Sequence, residues 1–145
     1  MNEPLIIKQL SIFLENKTGR LTDVTRLLAK ANINIAAFSM AESSDFGIMR
    51  VVLSDPISAK TLLTDNGFTV TLSDVVCLYV PNTPGTLSEA LLVLSEHNVA
   101  IDYMYAFAMD DVARVVIRPN EIDTCMKVLT QSNLKLVSAK DMYFF

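Results

Sequence analysis

Two short polar segments hold the residue types best suited to chemistry: Asn16-Lys17-Thr18-Gly19-Arg20-Leu21 and Asn82-Thr83-Pro84-Gly85-Thr86-Leu87. In each, Asn comes three residues before Gly and Leu follows two after it, and Gly85 lies 66 residues beyond Gly19. Each segment stands between an apolar run and a helical pattern. A glycine there lets the backbone take positive φ and approach a ligand closely. Where a helix begins, unpaired N–H groups and the positive end of the dipole face outward, which favours a carboxylate. Asn16 and Asn82 offer a side-chain carbonyl to an ammonium or an amide N–H to a carboxylate. Asn34, at the start of a later strand, adds a second amide. A free amino acid presents both groups. The structural alternative stays open beside this one, because Asn before a Gly turn routinely bonds only its own backbone. Gly19 and Gly85 serve the turn in either case. Arg20, matched by Thr86 in the second segment, reads as a solvated helix-start residue rather than an anchor.

Other chemistry is scarce. His97 falls near a helix end, on a face expected to be partly buried, and reads as a packing or capping residue. No nucleophile–base pattern and no phosphate loop of the GxxxxGK type occurs. Cys77 and Cys125 form no CxxC pair or metal spacing. Both sit in apolar runs and read as buried free thiols in a reducing cytoplasm. No enzyme activity, metal or cofactor is expected. The net charge is −4 with a pI near 4.9, and Lys and Arg are scattered. That excludes the basic stripe by which a protein tracks nucleic acid or an anionic membrane. The segments Gln9–Phe13 and Val76–Tyr79 also lack the aromatic and basic strand chemistry of an RNA-reading sheet. No apolar stretch approaches the roughly 18–20 residues that span a bilayer. No basic residue precedes the first apolar run, so a signal peptide is not expected. The chain is 51% hydrophobic and 19% charged, so some apolar surface is expected to meet the other repeat or another copy, giving a dimer.

The elements that hold the two turns repeat with them. Ile6–Leu14 reads as a strand, and Leu21, Val24, Leu27, Leu28 and Ala31 form one helical face. Thr18 or Gly19 starts that helix and Asn32 stops it. Strands follow over Ile33–Ala41 and Gly47–Leu53, joined by Glu42-Ser43-Ser44-Asp45. Asp55-Pro56 fits a helix N-cap and first position, with Leu62 and Leu63 facing inward and Gly67 as the stop. Phe68–Leu72 is the fourth strand. The second copy runs through Val75–Val80, a helix on Leu87, Ala90, Leu91 and Leu94, then strands Ile101–Ala108 and Val112–Arg118 around Met109-Asp110-Asp111. Asn120 caps a helix built on Ile122, Cys125, Met126 and Leu129, and Leu134–Ser138 is the last strand. Each copy has the order strand, helix, strand, strand, helix, strand of a split βαβ, ferredoxin-like unit. The boundaries are 1–73 and 74–145, joined by a Ser73-Asp74 linker. Asp141–Phe145 falls in the register of a first strand and is expected to be an extra C-terminal strand.

Two such copies, each with Asn-x-x-Gly-x-Leu after its first strand, resemble the ACT domain family, and specifically stand-alone bacterial proteins made of two ACT domains. The resemblance implies an α+β fold: two βαββαβ repeats with antiparallel sheets packed as a pseudo-dimer. It also implies a non-catalytic regulatory protein that binds a free amino acid between repeats and signals to an enzyme or transporter. The ligand residues it implies are Asn16, Thr18, Gly19, Arg20, Leu21, Asn34 and Ile35 in the first copy. In the second they are Asn82, Pro84, Gly85, Thr86, Leu87 and Ile101. The expected site joins one copy's turn to strand two of a facing copy. Ala100 stands where Asn34 sits in the first copy, and Pro84 where Thr18 does, so two sites would be unequal. Ile101, Tyr103, Tyr105 and Phe107 are expected to alternate on one strand face, opposite Asp102, Met104, Ala106 and Ala108. The aromatic face either walls a pocket or fills core and inter-repeat space. A ferredoxin-like interaction scaffold with no small-molecule ligand is the competing function.

Overall fold

The structure, a computed structural model of the chain, describes residues 4–15, 17–42 and 45–144. Asn16 and the hairpin residues Ser43 and Ser44 lie outside them, as does Phe145. Among the described residues there are six strands and five helices. They are β1 (Ile7–Glu15), α1 (Arg20–Lys30), β2 (Ile35–Glu42), β3 (Phe46–Leu53), α2 (Pro56–Asp65), β4 (Thr69–Pro81), α3 (Thr86–Glu96), β5 (Ile101–Met109), β6 (Val112–Pro119), α4 (Ile122–Gln131) and α5 (Ala139–Tyr143). This is the tandem ferredoxin-like α+β arrangement.

The chain forms two compact units. One comprises Lys8–Ser73 with the last residues from Met142; the other comprises the start of the chain through Ile7 with Asp74–Asp141. In the first unit β3 lies between β1 and β2, both antiparallel to it, with Leu10 opposite Val51 and Met40 opposite Met49. Alternate residues of these strands point to one face. Leu10, Ile12 and Leu14 of β1 join Met49, Val51 and Leu53 of β3 there, packed on Val24 and Leu28 of α1 and Ala59 and Leu63 of α2. The helical pairs are four residues apart, one turn of a buried stripe. In the second unit β6 lies between β4 and β5. Val76, Leu78, Val115 and Ile117 pack on Ala90, Leu94, Cys125 and Leu129 in the same way.

Four expectations need correction. Ser73-Asp74 is not a linker, because β4 runs unbroken from Thr69 to Pro81. No Gly or Pro interrupts residues 69–80, and Arg118 Nη1 donates to the Asp74 carbonyl at 2.6 Å, holding the backbone extended there. Leu134–Ser138 is reduced to a single bridge, Leu78 opposite Leu136, with Val137 N–H donating to the Cys77 carbonyl at 2.8 Å. The strand stops because the Ser138 hydroxyl accepts from Asp141 N–H at 3.1 Å and starts a helix. That helix, α5, replaces the expected C-terminal strand; Ala, Lys and Met favour it, and Met142 is fully buried. Finally, Ile101 does not share a face with the tyrosines. The register shifts between Ile101 and Tyr103, so Ile101 and Met104 pack on the core while Tyr103, Tyr105 and Phe107 pair along β6 on the other face. One extra residue reverses the alternation. The same shift occurs between Ile35 and Ala37.

Candidate ligand-binding site

The two turns have nearly the same backbone. After β1, Lys17 N–H donates to Glu15 O at 2.7 Å and Arg20 N–H reaches Lys17 O at 3.4 Å. After the first unit's pattern, Thr83 N–H donates to Pro81 O at 2.9 Å and Thr86 N–H reaches Thr83 O at 3.4 Å. Gly19 and Gly85 are the N-cap residues, at φ 91° and 92°, and no side chain caps either helix. The first intrahelical bonds are Asp23 N–H to Gly19 O and Glu89 N–H to Gly85 O. The amides of Leu21 and Thr22, and of Leu87 and Ser88, precede the first carbonyl that could accept them within the helix. Both helix starts therefore present N–H groups and a positive dipole end to an anion.

Side chains set the turns apart. The Thr86 hydroxyl donates to Pro81 O at 2.5 Å and Thr83 O at 2.9 Å, closing the second turn on itself. Asn82 is tied to the β5–β6 hairpin: its N–H donates to Asp111 O at 2.7 Å and its side-chain amide to Asp110 O at 3.3 Å. Pro84 is exposed, and Leu87 is partly buried against the second core. In the first turn Thr18 is exposed and Leu21 is 42% exposed. The Arg20 guanidinium lies 4.5 Å over the Phe68 ring and 3.5 Å from the Asp23 carboxylate. Its Nε is shut off from solvent with no hydrogen-bond acceptor among the described residues. Arg20 is thus held in place rather than solvated.

Asn34 lies elsewhere in its own repeat. Its N–H donates to Ser54 Oγ at 2.8 Å and its carbonyl accepts from Ser54 N–H at 2.9 Å. Asn120 serves Ala100 identically: its Oδ1 accepts from Ala100 N–H at 3.1 Å and its own N–H donates to Ala100 O at 2.9 Å. Asn120 is therefore not the cap of α4, whose N-cap is Glu121. The Asn34 side chain is exposed, with Ile35 half-buried beside it at the end of β2 where Ile35 pairs with Leu53. Glu15, just before the turn, pairs with Phe46 at the opposite end of the sheet. Within one repeat, Asn34 and the glycine turn do not meet.

A cleft of about 450 Å³ does adjoin the first turn. Leu14, Leu21, Met40 and Phe46 supply its apolar surface, and Glu15, Lys17, Arg20 and Glu42 its charges. The ends of β2 and β3 thus contribute residues that reading the turn alone passed over. The signal was available: shifted by 66, the four charged positions become Pro81, Thr83, Thr86 and Ala108. Lys17 Nζ is 2.9 Å from Glu15 and holds that carboxyl below its ordinary range.

The remaining reactive groups are accounted for. His97 is exposed rather than partly buried, and its Nδ1 lies 2.8 Å from Val93 O at the end of α3. Burial pushes the Cys77 thiol up to about 12 and Cys125 to about 11. Among the described residues no group of His, Cys, Asp and Glu is arranged to hold a metal, and no helix is long and apolar enough to cross a membrane.

Comparison with known proteins agrees with this architecture. A family described as an ACT domain pair matches residues 5–144. No curated protein matches the chain. Among solved structures, protein BT0572 from Bacteroides thetaiotaomicron is 51% identical, with a TM-score of 0.94 over 97% of this chain and 98% of its own. The regulatory subunit of aspartate kinase from Thermus thermophilus, in ligand-free form, shares the fold at 13% identity. Its TM-score is 0.67, over 90% of this chain and 94% of that one. The corresponding subunit from Thermus flavus has a TM-score of 0.61 at 17% identity, over 91% and 95%. With its two glycine turns and its duplicated βαββαβ order matched along nearly the whole sequence, the chain belongs to the ACT domain family as a pair of ACT domains.

Proposed function

We propose that this protein is a non-catalytic regulator that binds a free amino acid at its glycine turns and passes the occupancy to a partner enzyme or transporter. The observation that carries the reading is the twin helix starts, each opened by a left-handed glycine with no side-chain cap, in an ACT domain pair. Uncapped amides at a dipole's positive end suit a carboxylate, and the amides of Asn16, Asn34 and Asn82 suit either end of a zwitterion. The aspartate kinase subunits that share the fold are regulatory, which is in keeping with this role. The working form is a cytoplasmic dimer, in which strand two of a facing copy brings Asn34 to a turn. A coupling free energy of about 1–3 kcal/mol between ligand and partner would suffice.

A thermal-shift screen against the twenty amino acids tests the reading, because a ligand of the folded state raises its stability by mass action. One or a few amino acids should raise the melting temperature. Calorimetry on the best of them should show weaker binding to Asn34→Ala. If none stabilises the protein at millimolar concentration, the interaction scaffold is the better account.

A further inference from the structure

The helices of the first repeat carry two depressions of opposite charge. One, of about 370 Å³, follows α1 and is lined by Arg26 and Lys30 with Leu27 between them. Arg20 lines it too, but is already engaged by Phe68 and Asp23. Arg26 and Lys30 are exposed and have no ion pair among the described residues. The other, of about 550 Å³, follows α2 and is lined by Asp55 and Asp65 with Ile57 and Leu62 between them. Among the described residues no cation lines it. The two adjoin: Lys30 lines the first and Ala31 the second, Asn66 the first and Asp65 the second.

These charges do little for their own helices. Arg26 and Lys30 stand four apart, where like charges repel. Asp65 is the last residue of α2, at the negative end of the dipole, with no basic residue in that turn. Each calls for an opposite charge from outside, and each depression holds what the other lacks. The fold does not require them. In the second repeat Leu92 and Glu96 replace Arg26 and Lys30, while Asp123 and Gln131 replace Ile57 and Asp65.

We propose that this face binds the same face of a second copy of the chain, across a twofold axis at the ridge where the depressions adjoin. The axis sets the cationic depression of each copy against the acidic one of the other, so every charge is matched twice. Ile57, 60% exposed, is the apolar anchor and enters beside Leu27 of the facing copy. Its burial supplies affinity, while the exposed ion pairs, individually weak, set register and salt dependence. No residue of β2 takes part, so the contact stands apart from the strand-two contact and from the amino-acid reading.

Sedimentation equilibrium of the full chain tests this. Self-association should weaken about tenfold or more between about 0.05 M and about 0.5 M NaCl. Ile57→Asp, the pair Arg26→Glu with Lys30→Glu, and Asp65→Lys should each weaken it about tenfold or more, with unchanged circular dichroism. Mixing the Arg26→Glu, Lys30→Glu chain with the Asp65→Lys chain should restore it, because in that pair both contacts again join opposite charges. A merely structural effect of either variant would not be rescued by the other. A wild-type chain that does not associate, association indifferent to salt and to all three variants, or a mixture as weak as its components would each overturn the proposal.

Discussion

Gly19 and Gly85 show how much depends on a missing atom. At φ 91° and 92°, a Cβ added at either would meet nothing within 4 Å. Substitution there costs backbone strain rather than a clash. Gly19→Ala and Gly85→Ala should each lower stability by about 1–2 kcal/mol, read from urea unfolding. Gly19→Val should also abolish amino-acid binding while far-UV circular dichroism stays near that of wild type. The two thiols make a different case. Burial raises their folded-state values from 9.0 to about 12 for Cys77 and about 11 for Cys125. A raised value means the folded state keeps protons that the unfolded chain has lost. Their contribution is therefore whole below pH 9 and fades as the pH climbs toward 11 and 12. Urea midpoints should fall across that window, and Cys125→Ala should flatten the fall. A disulfide reagent at about pH 8 should label neither thiol in the native protein and both after unfolding.

At the scale of elements, the two repeats solve the same local problems with different residues. Asp55 caps α2, its carboxylate accepting from Ser58 N–H at 3.2 Å, with Pro56 in the first turn. Glu121, at the matching position of α4, makes no such bond. Asp55→Ala should cost about 0.5–2 kcal/mol, and Glu121→Ala much less, so their difference in denaturation midpoint measures the cap. The start of strand two is closed by Ser54 in one repeat and Asn120 in the other, each accepting from the amide and donating to the carbonyl of its partner. That closure uses only the backbone of residues 34 and 100. Ala100 therefore replaces an asparagine without loss of structure, and Asn34 keeps its side chain available.

For the whole molecule, the end of the chain does more than its sequence register suggests. Met142 is fully buried in α5, and the Tyr143 hydroxyl accepts from Lys8 N–H at 2.7 Å. Met142→Ala should cost about 2–5 kcal/mol, the usual penalty for emptying a buried thioether site. Tyr143→Phe should cost about 0.5–1.5 kcal/mol, because it removes that hydrogen bond. Both are read from global unfolding. Exposed Phe38, at 57%, and Leu92, at 56%, remain as apolar surface on the lone chain. The composition anticipated such surface.

The duplicated βαββαβ order, the left-handed glycines and the stop at Asn32 were legible in the sequence, because periodicity and turn residues are local signals. So was the cap at Asp55. What only the tertiary structure decided has a common cause: competition among distant partners. Alternation put Ile101 beside Tyr103, but pairing with β6 forces an extra residue at Asp102 and turns Ile101 to the core. A 66-residue register made Asp141–Phe145 a strand, but a serine cap and a buried site for Met142 made residues 139–143 a helix. The charges of the first cleft were visible one by one. That Arg20, Glu42 and Phe46 line one space depends on the hairpin end of β2 and β3 meeting the turn after β1, a contact between residues more than twenty apart that no local pattern encodes.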